Sequence, residues 1–108
     1  GQQIVVVGSS IGAGRVLITN VNGFDVEVTG AFPALVFVAQ DVPGIIAAVT
    51  TVLARQGDNI ATLRVSRRRK GGDAIHIYEL DQPVSAAALE ALRAIPAVSS
   101  LHSIPRIS

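Results

Sequence analysis

Four consecutive residues, Asp41-Val42-Pro43-Gly44, stand where an apolar run, ALVFVAQ, gives way to a run with helical spacing. A helix amino terminus exposes backbone N–H groups without intrahelical partners and carries a partial positive charge. Such a corner can hold the carboxylate of a small molecule. Asp41 either meets a ligand ammonium or caps the helix that follows. Pro43-Gly44 either lets a ligand come close to the backbone or is ordinary punctuation before a helix. Asn59, which opens the next strand-like run, either reaches a ligand or accommodates a turn after Gly57-Asp58. This is chemistry for binding an amino acid, with no machinery beside it for transforming one.

The remaining candidates lead elsewhere or nowhere. Ser9 and Ser10 have no neighbouring acid–base pair, so nucleophilic catalysis is unsupported. His76 and His102 lack the Cys, His or Glu partners at ligand spacing that a metal site requires, and read as ordinary strand histidines. Gly8, Gly12 and Gly14 do not form G-x-G-x-x-G, and a strand follows them, which argues against a dinucleotide site. The run Arg67 to Lys70 reads as the solvated tip of a hairpin. It lacks the interleaved aromatics of single-stranded nucleic-acid binders.

The elements that must position the corner follow from patterning. A β-rich opening segment places strands at Ile4 to Val7, Val16 to Val21 and Phe24 to Thr29, with Gly8 to Gly14 as a turn. The last two strands join across Asn22-Gly23, a strong hairpin signal because both turn residues take positive φ. Phe24, Val26 and Val28 share one face of the hairpin and Asp25, Glu27 and Thr29 the other. Gly30-Ala31-Phe32-Pro33 is a boundary, dividing residues 1–30 from a second unit at 34–108. In that unit Leu35 to Gln40 is a strand, and Ile45, Val49, Val52 and Leu53 form the inner stripe of a helix ending before Gly57. Asn59 to Arg67 and Ala74 to Leu80 are strands. A helix from Ser85, its N-cap, to Ala94 turns Leu89 and Leu92 inward and stops before Pro96. Ala97 to Ile104 is the last strand. The predicted class is α+β, with the βαββαβ order of a ferredoxin-like domain: a four-stranded antiparallel sheet with both helices on one face. Alternation along Ala74 to Leu80 leaves neither face polar, so the helix-free face needs a cover, either a partner or the preceding hairpin.

Composition bounds the rest. The 108 residues suffice for one small domain with its own core. Hydrophobic residues make up 49% and charged residues only 16%, and no apolar run approaches the ~20 residues of a membrane span. The excess apolar surface is thus expected to face protein partners, not a membrane. With no cysteine the chain can hold neither a disulfide nor a thiolate-bound cluster. A formal charge of +1 gives no drive toward nucleic acid. The absence of a secretory leader gives the cytoplasm as the expected compartment, and the opening GQQIVVV without Met suggests a piece of a longer protein.

Taken together, the blocks resemble a known family. The second half is similar to the ACT domain, a ferredoxin-like regulatory module that pairs side by side and binds amino acids at the pair interface. GSSIGAGRVLITNVNGFDVEVTG, QDVPGIIAAVT, NIATLRVSRRRKGG and YELDQP, in that order, resemble the C-terminal part of the β chain of bacterial iron–sulfur L-serine dehydratase. That resemblance implies deamination of L-serine to pyruvate and ammonia on a [4Fe–4S] cluster held by an α chain or a missing part. This chain would hold no cofactor and would be inactive alone. Residues 1–30 would be the tail of a neighbouring β-rich domain. By the same resemblance the ligand would contact Gln40, Asp41, Val42, Pro43 and Gly44 of one protomer and Asn59 and Ile60 of the other. The sequence departs from some serine-binding relatives, which carry a histidine and an amide where this chain has Ala39 and Asp41. Asp41 suits an ammonium but removes an amide donor. A dimerisation module without ligand, and the ACT-containing end of a phosphoglycerate dehydrogenase, are the alternative readings.

Overall fold

A computed structural model describes residues 5–12, 15–21, 23–40, 42–67 and 72–106. Asp41, Asn22 of the hairpin turn, residues 68–71 of the basic tip and the start of the expected first strand at Ile4 lie outside the described residues. The element order is β1 (Val6–Gly12), β2 (Arg15–Val21), β3 (Phe24–Val28), β4 (Ala34–Gln40), α1 (Ile45–Arg55), β5 (Ile60–Arg67), β6 (Asp73–Leu80), α2 (Ala86–Arg93) and β7 (Val98–Ile104). From β4 onward this is βαββαβ, with sheet order β5-β6-β4-β7 and antiparallel pairing throughout. The predicted ferredoxin-like α+β fold is present.

The helices form where local chemistry directs them. On α1, Ile45, Val49 and Leu53 recur at helical spacing and are buried. Gly57, at φ 77°, ends that helix by giving its N–H to Ala54, while Asp58 N–H returns to the Leu53 carbonyl. Those two bonds make a Schellman closure, which satisfies carbonyls the helix would otherwise leave open. Ser85 caps α2: its hydroxyl oxygen accepts from Ala88 N–H at 3.2 Å and its O–H donates to Asp58. One serine thereby ties the start of α2 to the end of α1. Ala88 and Leu92 are the buried residues of α2, with Leu89 packed at the margin of the core.

The two central strands, β4 and β6, are buried on both faces, and their alternation divides the interior into two cores. Leu35, Phe37, Ala39, Tyr78 and Leu80 pack under Val49, Leu53, Ala88 and Leu92 of the helices. His76 belongs to this side as well: it is buried and lies stacked on Phe37, ring centroids 4.7 Å apart. Ala34, Val36, Ile75 and Ile77 point the other way and meet Ile18, Val21, Phe24 and Val28 of a separate three-stranded sheet, β1-β2-β3. The cover for the helix-free face is therefore the preceding hairpin. Glu79, also on that face, is buried and accepts a hydrogen bond of 2.6 Å from the Thr62 hydroxyl.

One expectation is corrected. Gly8 to Gly12 is not a turn but the body of β1, antiparallel to β2. Register shifts between Val7 and Gly8 and between Ser10 and Gly12 absorb the irregularity, and Gly12 takes φ 93° at the end of the strand; residues 13–14 of the expected turn lie outside the described residues. A bulged edge strand tolerates small residues because the ladder to Val16, Leu17 and Ile18 fixes its backbone, whatever its side chains.

Candidate functional site

The corner after β4 is built from backbone. Val42 N–H turns back to the Gln40 carbonyl at 2.9 Å, and the Gly44 carbonyl accepts from Ala48 N–H at 2.9 Å, which starts α1. Gly44 is the N-cap, with φ 89° and no side chain to offer the helix. No acidic residue stands in the first turn. The amide groups at the head of α1 thus lack the usual side-chain acceptor, and the end keeps its attraction for an anion. A Cβ placed on Gly44 would meet no atom within 4 Å, so the space in front of the corner is open. Val42, Pro43 and Gly44 are exposed, as is Gln40 at the end of β4.

Asn59 and Ile60 stand elsewhere. Because β4 and β5 both run antiparallel to β6, they run parallel to one another. Gln40 pairs with Asp73 at one end of the sheet, whereas Ile60 pairs with Leu80 at the other. The intervening length of β5 is about 25 Å at ~3.3 Å per residue. The fold therefore brings together Gln40, Val42, Pro43 and Gly44, and separately Asn59 and Ile60, but never the two groups within one copy.

Asn59 is held in place by its own chain. Its amide donates to the Asp81 carboxylate, and Asp81 N–H donates to the Asn59 carbonyl at 3.1 Å. The left-handed conformation in this turn belongs to Gly57; Asn59 has no positive φ. Asp81 is a contributor that sequence reasoning missed, since nothing in the spacing of two residues so far apart announces the bond.

A second feature reasoning from sequence did not single out is apolar. Four of the seven large hydrophobic residues exposed among the described residues are Val42 in the corner, Ile46 on the first turn of α1, and Leu63 and Val65 on β5. Leu63 pairs with Tyr78 and Val65 with His76, so both lie on the helix side of an edge strand that pairs on one side only. The signal was available: two large aliphatics alternate along Ile60–Arg67. Among the described residues no group of three His, Cys, Asp or Glu side chains is arranged to hold a metal, and no helix is long and apolar enough to cross a membrane.

Comparison with known proteins agrees with the fold. Residues 34–97 match the family model of the ACT domain. The chain is 33% identical over 102 residues to the probable L-serine dehydratase, beta chain, of Bacillus subtilis (strain 168), covering 94% of this chain and 46% of that protein. It is 27% identical over 92 residues to the L-serine dehydratase, beta chain, of Peptoniphilus asaccharolyticus, covering 85% of this chain and 41% of the relative. A D-3-phosphoglycerate dehydrogenase of Bacillus subtilis (strain 168) is 30% identical over 87 residues, 81% of this chain but 17% of the enzyme. The chain thus spans less than half the length of each of these relatives. With a β5-β6-β4-β7 sheet, two helices on one face and a match across residues 34–97, this chain belongs to the ACT domain family.

Proposed function

We propose that this chain is the regulatory and assembly part of an iron–sulfur L-serine dehydratase, pairing with a second copy of itself and holding L-serine or a similar small amino acid between the two. The carrying observation is the separation of the site into halves at opposite ends of the sheet. Two copies joined edge to edge through β5, about a two-fold axis perpendicular to that strand, would place Asn59 of one copy at the same end as the Pro43-Gly44 corner of the other. Exposed Leu63, Val65, Ile46 and Val42 supply the apolar surface that such pairing removes from water. The head of α1 would take the ligand carboxylate and Asp41 its ammonium, with Gln40, Val42 and Ile60 lining the gap.

The mechanism is linkage. A ligand that needs groups from two copies binds only the pair, so it favours pairing by the free energy of its own binding. In the whole enzyme the cluster would rest on an α chain or another part, because a chain without cysteine supplies no thiolate. Residues 1–30 would be the tail of a neighbouring β-rich domain, and the working compartment the cytoplasm. Calorimetry of the chain with L-serine is expected to give saturable heat that Asn59→Ala removes. Absence of heat in the parent chain would leave the ligand-free pairing module as the reading. The relationship to phosphoglycerate dehydrogenases keeps their ACT-bearing end as a second reading; it is supported if a dinucleotide-binding unit precedes this chain in the longer protein.

A further inference from the structure

A cavity of about 490 Å³ opens between the two sheets, where β3 passes over β5. Its floor is set by register: Arg64 pairs with Ile77 and Ser66 with Ile75, so all four face the β1-β2-β3 layer. Thr19 and Val26 form the roof. β3 pairs only with β2, and no ladder closes the gap to β5. The Ser66 hydroxyl spans that gap and donates to the Asp25 carbonyl at 3.2 Å. This bond shows that Asp25 turns its carbonyl away from β2. Arg64 is exposed at the mouth, and among the described residues it forms no ion pair with Asp25 or Glu27, although all three border the cavity.

We propose that this slot is a second small-molecule site, separate from the α1 corner, and that it takes an aliphatic α-amino acid. Each part of such a ligand has a counterpart here. The Arg64 guanidinium offers paired donors to a carboxylate. The Asp25 and Glu27 carboxylates, which border the same cavity, offer acceptors to an ammonium. Half-buried Val26 offers hydrocarbon to a branched side chain, over the packed Ile75 and Ile77 beneath. A concave apolar floor with a few convergent polar groups is the usual make-up of a small-molecule site. An anion without ammonium would meet two carboxylates near its guanidinium, and a simple cation would meet Arg64. A zwitterion satisfies both signs.

The test is a titration of the whole chain with L-isoleucine, L-leucine and L-valine, followed by amide correlation spectra. Saturable shifts are expected at Val26, Glu27, Arg64, Ile75 and Ile77. Arg64→Ala, at an exposed position, should weaken binding by roughly tenfold or more, the loss of one charge-assisted hydrogen bond. Arg64→Lys should retain part of the affinity, keeping the charge without the planar fork. Asn59→Ala should leave this binding unchanged, which separates the slot from the paired site proposed above. Three results would each overturn the proposal: no saturable shift with any of the three at millimolar concentration, shifts confined to Val42–Ile46, or equal affinity in Arg64→Ala.

Discussion

Gly44→Ala and Gly57→Ala form a matched pair that separates folding from function. Both glycines take positive φ, 89° and 77°, at opposite ends of α1, and at both a new Cβ meets no atom within 4 Å. Neither substitution therefore carries a steric term from its surroundings. What remains is the backbone penalty of an L-residue in the left-handed region, about 1–2 kcal/mol. In a domain of this size each kcal/mol lowers Tm by roughly 4–8 °C, so the two variants should melt below the parent by similar amounts. Their responses to L-serine should differ. A ligand at a hundredfold excess over its Kd stabilises the state that binds it by about 2.7 kcal/mol. Gly57→Ala should keep that increment, because Gly57 lies at the far end of α1. Gly44→Ala should lose it, because its methyl group projects into the open space before the α1 amides, where the ligand must sit. Thermal melts with and without L-serine measure both quantities at once. Equal ligand-induced shifts in the two variants would refute the placement of the ligand at the corner. A loss in Gly44→Ala well above the backbone term would refute the openness of the space.

Tyr78 is the only tyrosine, so alkaline absorbance reports it alone. Burial pushes its pKa from 10.0 up to about 12. A raised folded pKa contributes stability that is whole below pH 10 and is lost as pH climbs through about 12, some ~3 kcal/mol in total. The native chain should thus titrate near the upper value and the urea-unfolded chain near the lower; coincident curves would contradict the burial. Ser85→Ala should cost about 1 kcal/mol in urea denaturation through loss of the α2 cap; no change would show that the bond to Ala88 N–H contributes nothing net. Ile77→Ala, at a site 2% exposed between the sheets, should cost about 2–5 kcal/mol, and a loss under 1 kcal/mol would argue against docking of β1-β2-β3 there. A chain beginning at Pro33 should bind the dye ANS, because Ala34, Val36, Ile75 and Ile77 lose their cover; a dye-silent chain would say the same.

What was legible in the sequence depended on how local its cause was. Gly57 and Ser85 end and begin helices through bonds spanning three to five residues, and both were readable from residue type alone. Alternation in β6 showed that the helix-free face was apolar but could not choose its cover, because Ile75 and Ile77 meet residues more than forty positions away. Gly8 to Gly12 misled because glycine and serine usually punctuate, whereas here pairing with β2 fixes the strand. At the candidate site, the open head of α1 followed from Pro43-Gly44, but the distance between that corner and Asn59 follows only from strand order. The Asn59–Asp81 bond and the Arg64 slot likewise arise from tertiary placement, for which single positions carry no signal.

Sedimentation equilibrium of the chain, alone and with L-serine, tests the pairing claim most directly. The account predicts a reversible dimer whose dissociation constant falls when L-serine is added, with that response abolished in Asn59→Ala. A species of single-chain mass across the whole concentration range, with or without L-serine, would contradict it.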